Sequence, residues 1–213
     1  MFFSIFYGII FVVKFMNQYF EYNKNLKSEI KKVNVKIKDI ELSFYTDNGV
    51  FNKKGLDYGT RFLLENIDIK NKQSFLDVGC GCGPIGIYIA RLNNNYIVDM
   101  IDINERAIHL TKMSLKDNGI TNAKCFKSNI YENVNRKYDC IITNPPIHAG
   151  KKVVYDIIEN ARFHLNINGE LWIVIRKDQG AKSLIKDMCN YYDFSIIKKD
   201  NGFYIIKGVL KQV

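Results

Sequence analysis

The sequence lacks the clustered histidines and cysteines that metal sites require. Its five cysteines are odd in number, and Cys80-Gly81-Cys82 has no second cysteine pair at zinc-ligand spacing. The three histidines are dispersed: His109, His148 and His164. The pattern predicts no metal site, and it predicts reduced thiols in a cytoplasmic protein.

Long apolar runs are also scarce. Residues 1–13 are almost wholly apolar, but they fall short of the ~20 residues that span a bilayer. They lack the basic residues and the small-residue cleavage site of a signal peptide, so no stable membrane insertion is expected. We interpret residues 1–15 as an apolar extension from a start codon assigned too early, with Met16 as the natural start. A short membrane-surface anchor is the alternative.

Acidic residues are outnumbered, since the chain has 31 Lys and Arg against 22 Asp and Glu and a net charge of +9. A basic balance of this size favours a polyanionic partner such as RNA or DNA. The alternative is a lysine-rich coding bias, because the basic residues are nearly all lysine and are scattered. The chain also has no repeats and no Pro-rich or Ser-rich linker. Its 213 residues suffice for one α/β domain, which we expect to be a monomer by default.

Strand and helix patterns alternate through most of the chain. Residues 33–37 and 40–44 alternate apolar and polar side chains and predict an N-terminal β-hairpin. The other predicted strands are 74–78, 96–101, 123–127, 138–142, 171–175, 194–197 and 203–210. The predicted helices are 58–69, 84–92, 104–118, 153–165 and 181–191. Asn168-Gly169 is interpreted as the stop of the fourth of these helices.

This order predicts a doubly wound, mostly parallel sheet of seven strands after the hairpin. The last strand is expected to run antiparallel, because the turn at Asn201-Gly202 joins it to its predecessor as a hairpin. We expect one domain over residues 16–213. Residues 16–58 would form the N-terminal hairpin and loop, and residues 59–213 the catalytic core.

A glycine loop follows the strand at residues 74–78. The spacing Gly81-x-Gly83-x-x-Gly86, with Asp102 at the end of the next strand, matches a dinucleotide-binding fingerprint. Taken alone, this spacing favours NAD or FAD. Asp77, however, precedes the loop, and a carboxylate there would repel a pyrophosphate but would suit a cationic amine. S-adenosylmethionine carries such an amine and no phosphate.

A rigid turn, Asn144-Pro145-Pro146, follows the strand at residues 138–142. Neither proline has a backbone N–H to donate, so a strand ends here. The side-chain oxygen of Asn144 and the carbonyl of Pro145 can both accept hydrogen bonds from one planar NH2 group. Together with the glycine loop, this turn predicts a methyltransferase that acts on a planar amine. Asp102 would accept the ribose hydroxyls of the cofactor.

With both features in view, residues 44–210 resemble the small-subunit ribosomal RNA guanine-N2 methyltransferases, which are class I methyltransferases of the small-domain type. The resemblance rests on three segments: residues 45–51 with 55–60, the glycine loop, and residues 144–151. The glycine loop is shared by most such enzymes, and the other two segments are more specific. The resemblance implies a Rossmann-like fold, S-adenosylmethionine as cofactor, and ribosomal RNA or the small ribosomal subunit as partner.

The resemblance also implies roles for individual residues. Phe51, Gly59 and Thr60 would form a wall over the methyl donor, and Asn129 would reach the adenine, although Asn129 also reads as a simple turn residue. The remaining cofactor residues are Asp77, Gly79, Gly81, Gly83 and Asp102. The residues expected at the target base are Asn144, Pro145, Pro146 and Ile147, and those expected at RNA are His148, Lys151 and Lys152.

Three departures from the family keep alternatives open. Many relatives carry an aromatic residue where Ile147 stands, and relatives often carry Asp where Asn129 stands. Some guanine methyltransferases of this type also have a duplicated N-terminal half, for which this chain is too short. The alternatives are methylation of a protein glutamine amide, methylation of adenine N6, and a non-catalytic RNA-binding assembly factor. His148 is either a loop or base-contact residue or a general base.

Overall fold

A computed structural model describes residues 27–51 and 55–212. The predicted apolar extension at residues 1–15 lies outside these residues. Within them, no helix combines the length and the apolar character needed to cross a membrane.

The described residues alternate between strands and helices, as the sequence predicts. The strands are β1 (Lys31–Ile37), β2 (Ile40–Thr46), β3 (Ser74–Val78), β4 (Ile97–Asp102), β5 (Ala123–Lys127), β6 (Tyr138–Thr143), β7 (Leu165–Arg176), β8 (Tyr192–Asp200) and β9 (Phe203–Leu210). The helices are α1 (Tyr58–Asn66), α2 (Pro84–Leu92), α3 (Glu105–Asp117), α4 (Lys151–Asn160) and α5 (Ala181–Met188).

Seven strands form one sheet in the order β5-β4-β3-β6-β7-β9-β8. The first five of these pair in parallel, whereas β9 pairs antiparallel with both β7 and β8. The predicted fold class, a mostly parallel seven-stranded sheet with an antiparallel last strand, is therefore confirmed. The predicted N-terminal hairpin is also confirmed, since β1 and β2 form a separate antiparallel pair.

The central strands β3 and β6 are buried on both faces, and successive side chains of each strand point to opposite sides. In β6, Cys140 and Ile142 join the cluster that packs against α1, α2, α3 and the hairpin. Ile141, which lies between them, joins the cluster on the α4 and α5 side. This alternation explains why the central strands are nearly continuous apolar runs in the sequence.

The hairpin is fixed to α3 by polar contacts. The backbone N–H of Tyr45 donates to Ser114 Oγ at 2.9 Å, and that of Ser43 donates to Asn118 Oδ1 at 3.1 Å. Arg106 continues the contact by donating to the carbonyl of Asn48. The chain that leads from the hairpin towards Phe51 is thereby held beside the start of α3, close to the end of β4.

The helix predicted over residues 58–69 ends earlier, at Asn66. The N–H of Ile67 closes the last turn by donating to the carbonyl of Leu63 at 2.8 Å, and Asn66 Nδ2 adds a bond to the carbonyl of Phe62 at 2.7 Å. Ile67 and Ile69 are buried in the core from an extended segment. Ile67 and Ile69 are therefore apolar because a loop buries them. The prediction that the helix continues through these two residues is wrong.

The helix predicted over residues 153–165 is also displaced. Helix α4 occupies Lys151–Asn160, and Leu165 already belongs to β7. β7 pairs irregularly with β6 between Leu165 and Glu170, and Asn168 has a φ of 59°. Asn168-Gly169, which we interpreted as a helix stop, is therefore a bulge in a strand. β7 is correspondingly longer than the predicted strand at residues 171–175.

Candidate active site

The predicted site residues follow four neighbouring parallel strands. Asn129 follows β5, Asp102 ends β4, Gly79 follows β3 and Asn144 follows β6. Because parallel strands end at the same edge of a sheet, these residues lie in a row in that order along the carboxyl edge. The residues to which the resemblance gives roles at the adenine, the ribose, the methionine part and the target amine therefore follow one another along this edge.

The glycine loop is held by backbone hydrogen bonds to β4 and its end. The N–H groups of Gly79 and Cys80 both donate to the carbonyl of Ile101 at 2.9 Å. Gly79, Gly81 and Gly83 have φ values of 70°, 55° and 85°, a region in which side chains with a Cβ are strained. The loop therefore needs glycine at these positions to turn from the strand into α2.

Crowding adds a second requirement at two glycines. A Cβ on Gly83 would lie 2.7 Å from Thr111 Cγ2, and one on Gly86 would lie 2.2 Å from Met100 Sδ. A Cβ on Gly81, by contrast, would meet no atom within 4 Å. Gly83 and Gly86 thus allow close packing of α2, whereas Gly81 borders open space at the carboxyl edge.

Asp77 lies in β3 below the loop and is 2% exposed. Its Oδ2 accepts a hydrogen bond from the N–H of Gly86 at 3.0 Å. Its Oδ1 is buried and has no hydrogen-bond partner in the described part of the chain. Burial, with a smaller contribution from the negative charge of Asp102, raises the pKa of Asp77 to about 7. A cation placed at Oδ1 would relieve this cost.

Asp102 faces the glycine loop. Its Oδ2 accepts from the N–H of Gly81 at 2.8 Å, and its Oδ1 accepts from the N–H of Asn104 at 2.8 Å. Burial raises the pKa of the Asp102 carboxyl, and these N–H groups oppose that rise. Each carboxylate oxygen has more than one lone pair, so further hydroxyl donors can still be accepted here.

Asn129 is exposed directly after Ser128, in a turn in which the N–H of Glu132 donates to the Asn129 carbonyl at 3.1 Å. Ser128 is buried, and its N–H donates to the carbonyl of Asp102 at 3.0 Å. This bond places the turn next to the predicted ribose site. Both interpretations of Asn129, as an adenine contact and as a turn residue, are compatible with the position.

The Asn-Pro-Pro turn lies beside the glycine loop. Thr143 Oγ1 donates to the carbonyl of Val78 at 2.9 Å, which ties the ends of β6 and β3 together. A Cβ on Gly79 would lie 3.9 Å from Pro146 Cδ, in ordinary contact. Ile147 then starts a short 3-10 helix, Ile147–Ala149. The glycine loop and the Asn-Pro-Pro turn are therefore adjacent.

Asn144 is held by two residues at the start of α1. Its Nδ2 donates to Asp57 Oδ1 at 3.2 Å and to Thr60 Oγ1 at 3.0 Å. Asp57 is the N-cap of α1 and also accepts from the N–H of Thr60 at 3.1 Å. Asp57 lies in residues 55–60, one of the segments that carry the family resemblance, but the sequence assigns it no role. An Asp directly before a predicted helix start indicates an N-cap. It does not indicate that Asp57 also contacts Asn144.

The other wall residues lie on both sides of this contact. A Cβ on Gly59 would lie 2.9 Å from Phe203 Cε1, so α1 packs closely against the start of β9. Phe51 is 51% exposed, and its carbonyl accepts from Cys82 Sγ at 3.4 Å. Phe51 is thereby brought to the glycine loop, whereas Gly59 and Thr60 are brought to Asn144.

The residues predicted to contact RNA surround the outer side of the turn. His148, Lys151 and Lys152 are all exposed. Lys151 Nζ lies 4.6 Å from the centroid of the Tyr155 ring, so its charge is held over α4 next to the turn. Among the residues that the structure describes, no group of three or more His, Cys, Asp or Glu side chains is arranged to hold a metal ion.

Comparison with known proteins places this arrangement in a family. The profile of the methyltransferase small domain matches residues 41–207. The uncharacterized protein YbxB of Bacillus subtilis is 41% identical over 89% of this chain and 96% of its own length. The ribosomal RNA small subunit methyltransferase C of Haemophilus influenzae is 33% identical over 78% of this chain. This chain spans about half the length of that enzyme, 50%.

Solved structures support the fold. A 16S rRNA N2 guanine methyltransferase of T. thermophilus, in complex with S-adenosylmethionine and guanosine, covers 90% of this chain with a TM-score of 0.77 at 20% identity. The match uses 53% of that enzyme's chain. A ribosomal protein L11 methylase of Lactobacillus delbrueckii covers 76% of this chain and 82% of its own, with a TM-score of 0.63 at 20% identity. The chain belongs to the methyltransferase small domain family.

Proposed function

We propose that this protein transfers a methyl group from S-adenosylmethionine to the N2 amine of a guanine in small-subunit ribosomal RNA, with the cytoplasm as its place of action. The observation that carries the proposal is the closeness of Gly79 in the glycine loop to Pro146 in the Asn-Pro-Pro turn, since a Cβ on Gly79 would lie 3.9 Å from Pro146 Cδ. This closeness supports a methyl donor and an amine acceptor side by side at one sheet edge.

The residues at the loop fit S-adenosylmethionine better than a dinucleotide. The buried, unpaired Oδ1 of Asp77 suits the cationic amino group of the methionine part and would repel a pyrophosphate. Gly81 leaves open space along the backbone, and Asp102 can accept hydroxyl groups. When bound, this cofactor supplies a methyl group that its sulfonium has already activated. The protein therefore needs little acid–base chemistry.

The task of the turn is to hold the target nitrogen. A guanine amino group has its lone pair delocalised into the ring. Hydrogen bonds from its two N–H groups to Asn144 Oδ1 and to the Pro145 carbonyl would raise the electron density on nitrogen and fix its direction. Positioning of this kind is among the larger sources of rate enhancement available to an enzyme. The proton is lost to solvent afterwards. His148 is assigned to contact with the nucleobase or to the structure of the loop, and not to the role of general base.

Three further observations support ribosomal RNA as the substrate. Relatives at 33% identity are named as ribosomal RNA small subunit methyltransferases. The chain carries a net charge of +9, which favours a polyanion. Lys151 and Lys152 are exposed directly after the turn, where phosphates next to an extruded nucleotide would lie. Extrusion of the base costs a few kcal/mol, which these contacts would help to offset.

The test is nucleoside mass spectrometry. The full chain is incubated with S-adenosylmethionine and, separately, with unmodified small ribosomal subunits and with naked ribosomal RNA, and the RNA is then digested. New N2-methylguanosine in either sample is the expected result. Protein from the same reactions is digested in parallel to search for methylated glutamine.

Other outcomes would redirect the proposal. N6-methyladenosine or methylglutamine without N2-methylguanosine would contradict the guanine assignment but keep the methyltransferase. If calorimetry shows that the protein does not bind S-adenosylmethionine, the non-catalytic assembly factor is favoured instead.

A further inference from the structure

We infer that Asp57 and Thr60 are positioning residues, which set the orientation of the Asn144 amide so that its oxygen faces the substrate amine. The inference rests on the proposed function, in that Asn144 Oδ1 is taken as an acceptor for the target NH2. It adds to that function a pair of side chains from a different part of the chain, the first turn of α1.

The chemistry of the two partners determines which way the amide points. Asp57 Oδ1 already accepts the N–H of Thr60 at 3.1 Å, so this oxygen is a hydrogen-bond acceptor where it faces Asn144. The NH2 group of Asn144 must therefore be the end that faces Asp57 Oδ1, at 3.2 Å. The opposite orientation would bring two accepting oxygen atoms together.

Thr60 completes the arrangement. Its Oγ1 lies 3.0 Å from Asn144 Nδ2, and its side chain is buried, at 2% exposure. An amide NH2 has two hydrogens, and Asp57 and Thr60 take one each. The nitrogen then has no hydrogen left to offer a substrate, so Oδ1 is the atom of the Asn144 amide that remains to accept one.

The two positioning residues are themselves held by the fold. Asp57 Oδ1 also accepts the N–H of Thr60 at 3.1 Å and so caps α1. Gly59, between them, allows α1 to pack on Phe203 without a side chain in the way. The first turn of α1 is thus a rigid support for Asn144, and an acceptor that is already oriented loses little entropy when a substrate binds.

Two pairs of substitutions separate positioning from helix capping. Asp57→Ser keeps an N-cap oxygen but is too short to reach Asn144, whereas Asp57→Asn keeps both the cap and an oxygen at the right distance. Thr60→Val removes the acceptor at similar volume, and Thr60→Ser retains it. We expect kcat to fall roughly 10–100-fold in Asp57→Ser and in Thr60→Val, as for a misplaced reacting group. The Kd for S-adenosylmethionine should stay unchanged in Asp57→Ser, because no cofactor contact is assigned to Asp57.

The conservative partners, Asp57→Asn and Thr60→Ser, should retain turnover within a few-fold of the wild type. Thermal unfolding of all four variants serves as the control for folding. If Asp57→Ser and Asp57→Asn lose kcat equally, or if neither loses it, the positioning role is wrong.

A second measurement does not depend on the substrate. In 15N-labelled protein, the side-chain NH2 signals of Asn144 are identified by their absence from Asn144→Ala. We expect slow hydrogen exchange of this NH2 in the wild type and in Asp57→Asn, and clearly faster exchange in Asp57→Ser. Equal exchange rates in the three proteins would overturn the inference even if no methylated product had been found.

Asn144→Ala separates a failure of the proposed function from a failure of the positioning inference. If this variant keeps full turnover, the proposed role of Asn144 in the reaction falls, whatever the exchange data show. If it loses turnover while Asp57→Ser keeps it, the positioning inference alone falls. The double variant Asp57→Ser/Asn144→Ala should be no slower than Asn144→Ala, because a residue that acts through Asn144 has nothing left to position.

Discussion

The two halves of the site are constructed in different ways. The proposed cofactor half, defined as Asp77, the glycine loop and Asp102, comes from one stretch of chain, and its bonds are short in sequence, as from Gly81 to Asp102 at a separation of 21 residues. Most of these bonds start from backbone N–H groups. The amine half joins Asn144 to Asp57 across 87 residues through side chains alone. The first half therefore depends on backbone conformation, and the second depends on individual side-chain atoms.

The sharpest way to test this contrast is to remove the amide in the second half. We expect Asn144→Ala to lower turnover about 10²–10³-fold, the range seen when a preorganised hydrogen-bonding group is removed from an active site. The affinity for S-adenosylmethionine should be retained, because the cofactor half does not use this side chain. Steady-state kinetics and calorimetry give the two quantities. Asn160→Ala, at the end of α4, is the matched control and should alter neither.

The next effect concerns the buried charge of the cofactor half. The pKa of Asp77 is about 7 in the folded protein and about 3.9 in an unfolded chain. Between these values the folded state binds more protons, so the free energy of unfolding should fall as pH rises from about 4 to 7 and level off above. Urea denaturation without cofactor measures this fall. Asp77→Asn should remove the part of this fall that Asp77 contributes. If the difference in unfolding free energy between the wild type and the variant did not change with pH, the assignment would be contradicted.

A smaller effect separates backbone strain from crowding within the glycine loop. Alanine at Gly81 or Gly83 should cost about 1–2 kcal/mol, because φ is positive at both positions. Gly83→Ala should cost a further ~1–3 kcal/mol through its clash with buried Thr111. The unfolding free energies of the two variants measure the difference directly. Equal losses would show that crowding contributes nothing at Gly83.

The smallest expected effect is on RNA binding beyond the turn. Lys151→Gln should raise the KM for RNA a few-fold at unchanged kcat and should lower the salt slope of binding by about 0.7–0.9, one phosphate contact. Lys70→Gln makes the same charge change at the opposite edge of the sheet, before β3. Lys70→Gln is the control for net charge. If it weakened RNA binding as much as Lys151→Gln, the effect would come from net charge and not from the position of Lys151 at the turn.

The same contrast explains what the sequence could predict. The glycine loop, Asp77, Asp102 and the Asn-Pro-Pro turn are recognisable because each motif is local and its residue types are constrained by backbone geometry. The antiparallel β9 was predictable from the turn at Asn201-Gly202. The resemblance to a family supplied the roles of the site residues, and those roles stay predictions.

What could not be predicted depends on contacts distant in sequence. The hydrogen bond from Asn144 to Asp57 exists because the fold brings the start of α1 to the residue that follows β6, and no spacing within either segment indicates it. The bulge at Asn168 was mistaken for a helix stop, since an Asn-Gly pair is compatible with both. The early end of α1 was missed because Ile67 and Ile69 are buried from a loop as thoroughly as from a helix.

The position of β9 has a consequence for biosynthesis. Within residues 27–51 and 55–212, the last strand in chain order lies inside the sheet, between β7 and β8, and β8 pairs with the sheet only through it. During synthesis, β7 has an unpaired edge and β8 has no partner until Leu210 has emerged. A nascent chain of this protein thus cannot complete its sheet progressively from the N-terminus, and a chain that stopped before β9 would lose two strands together.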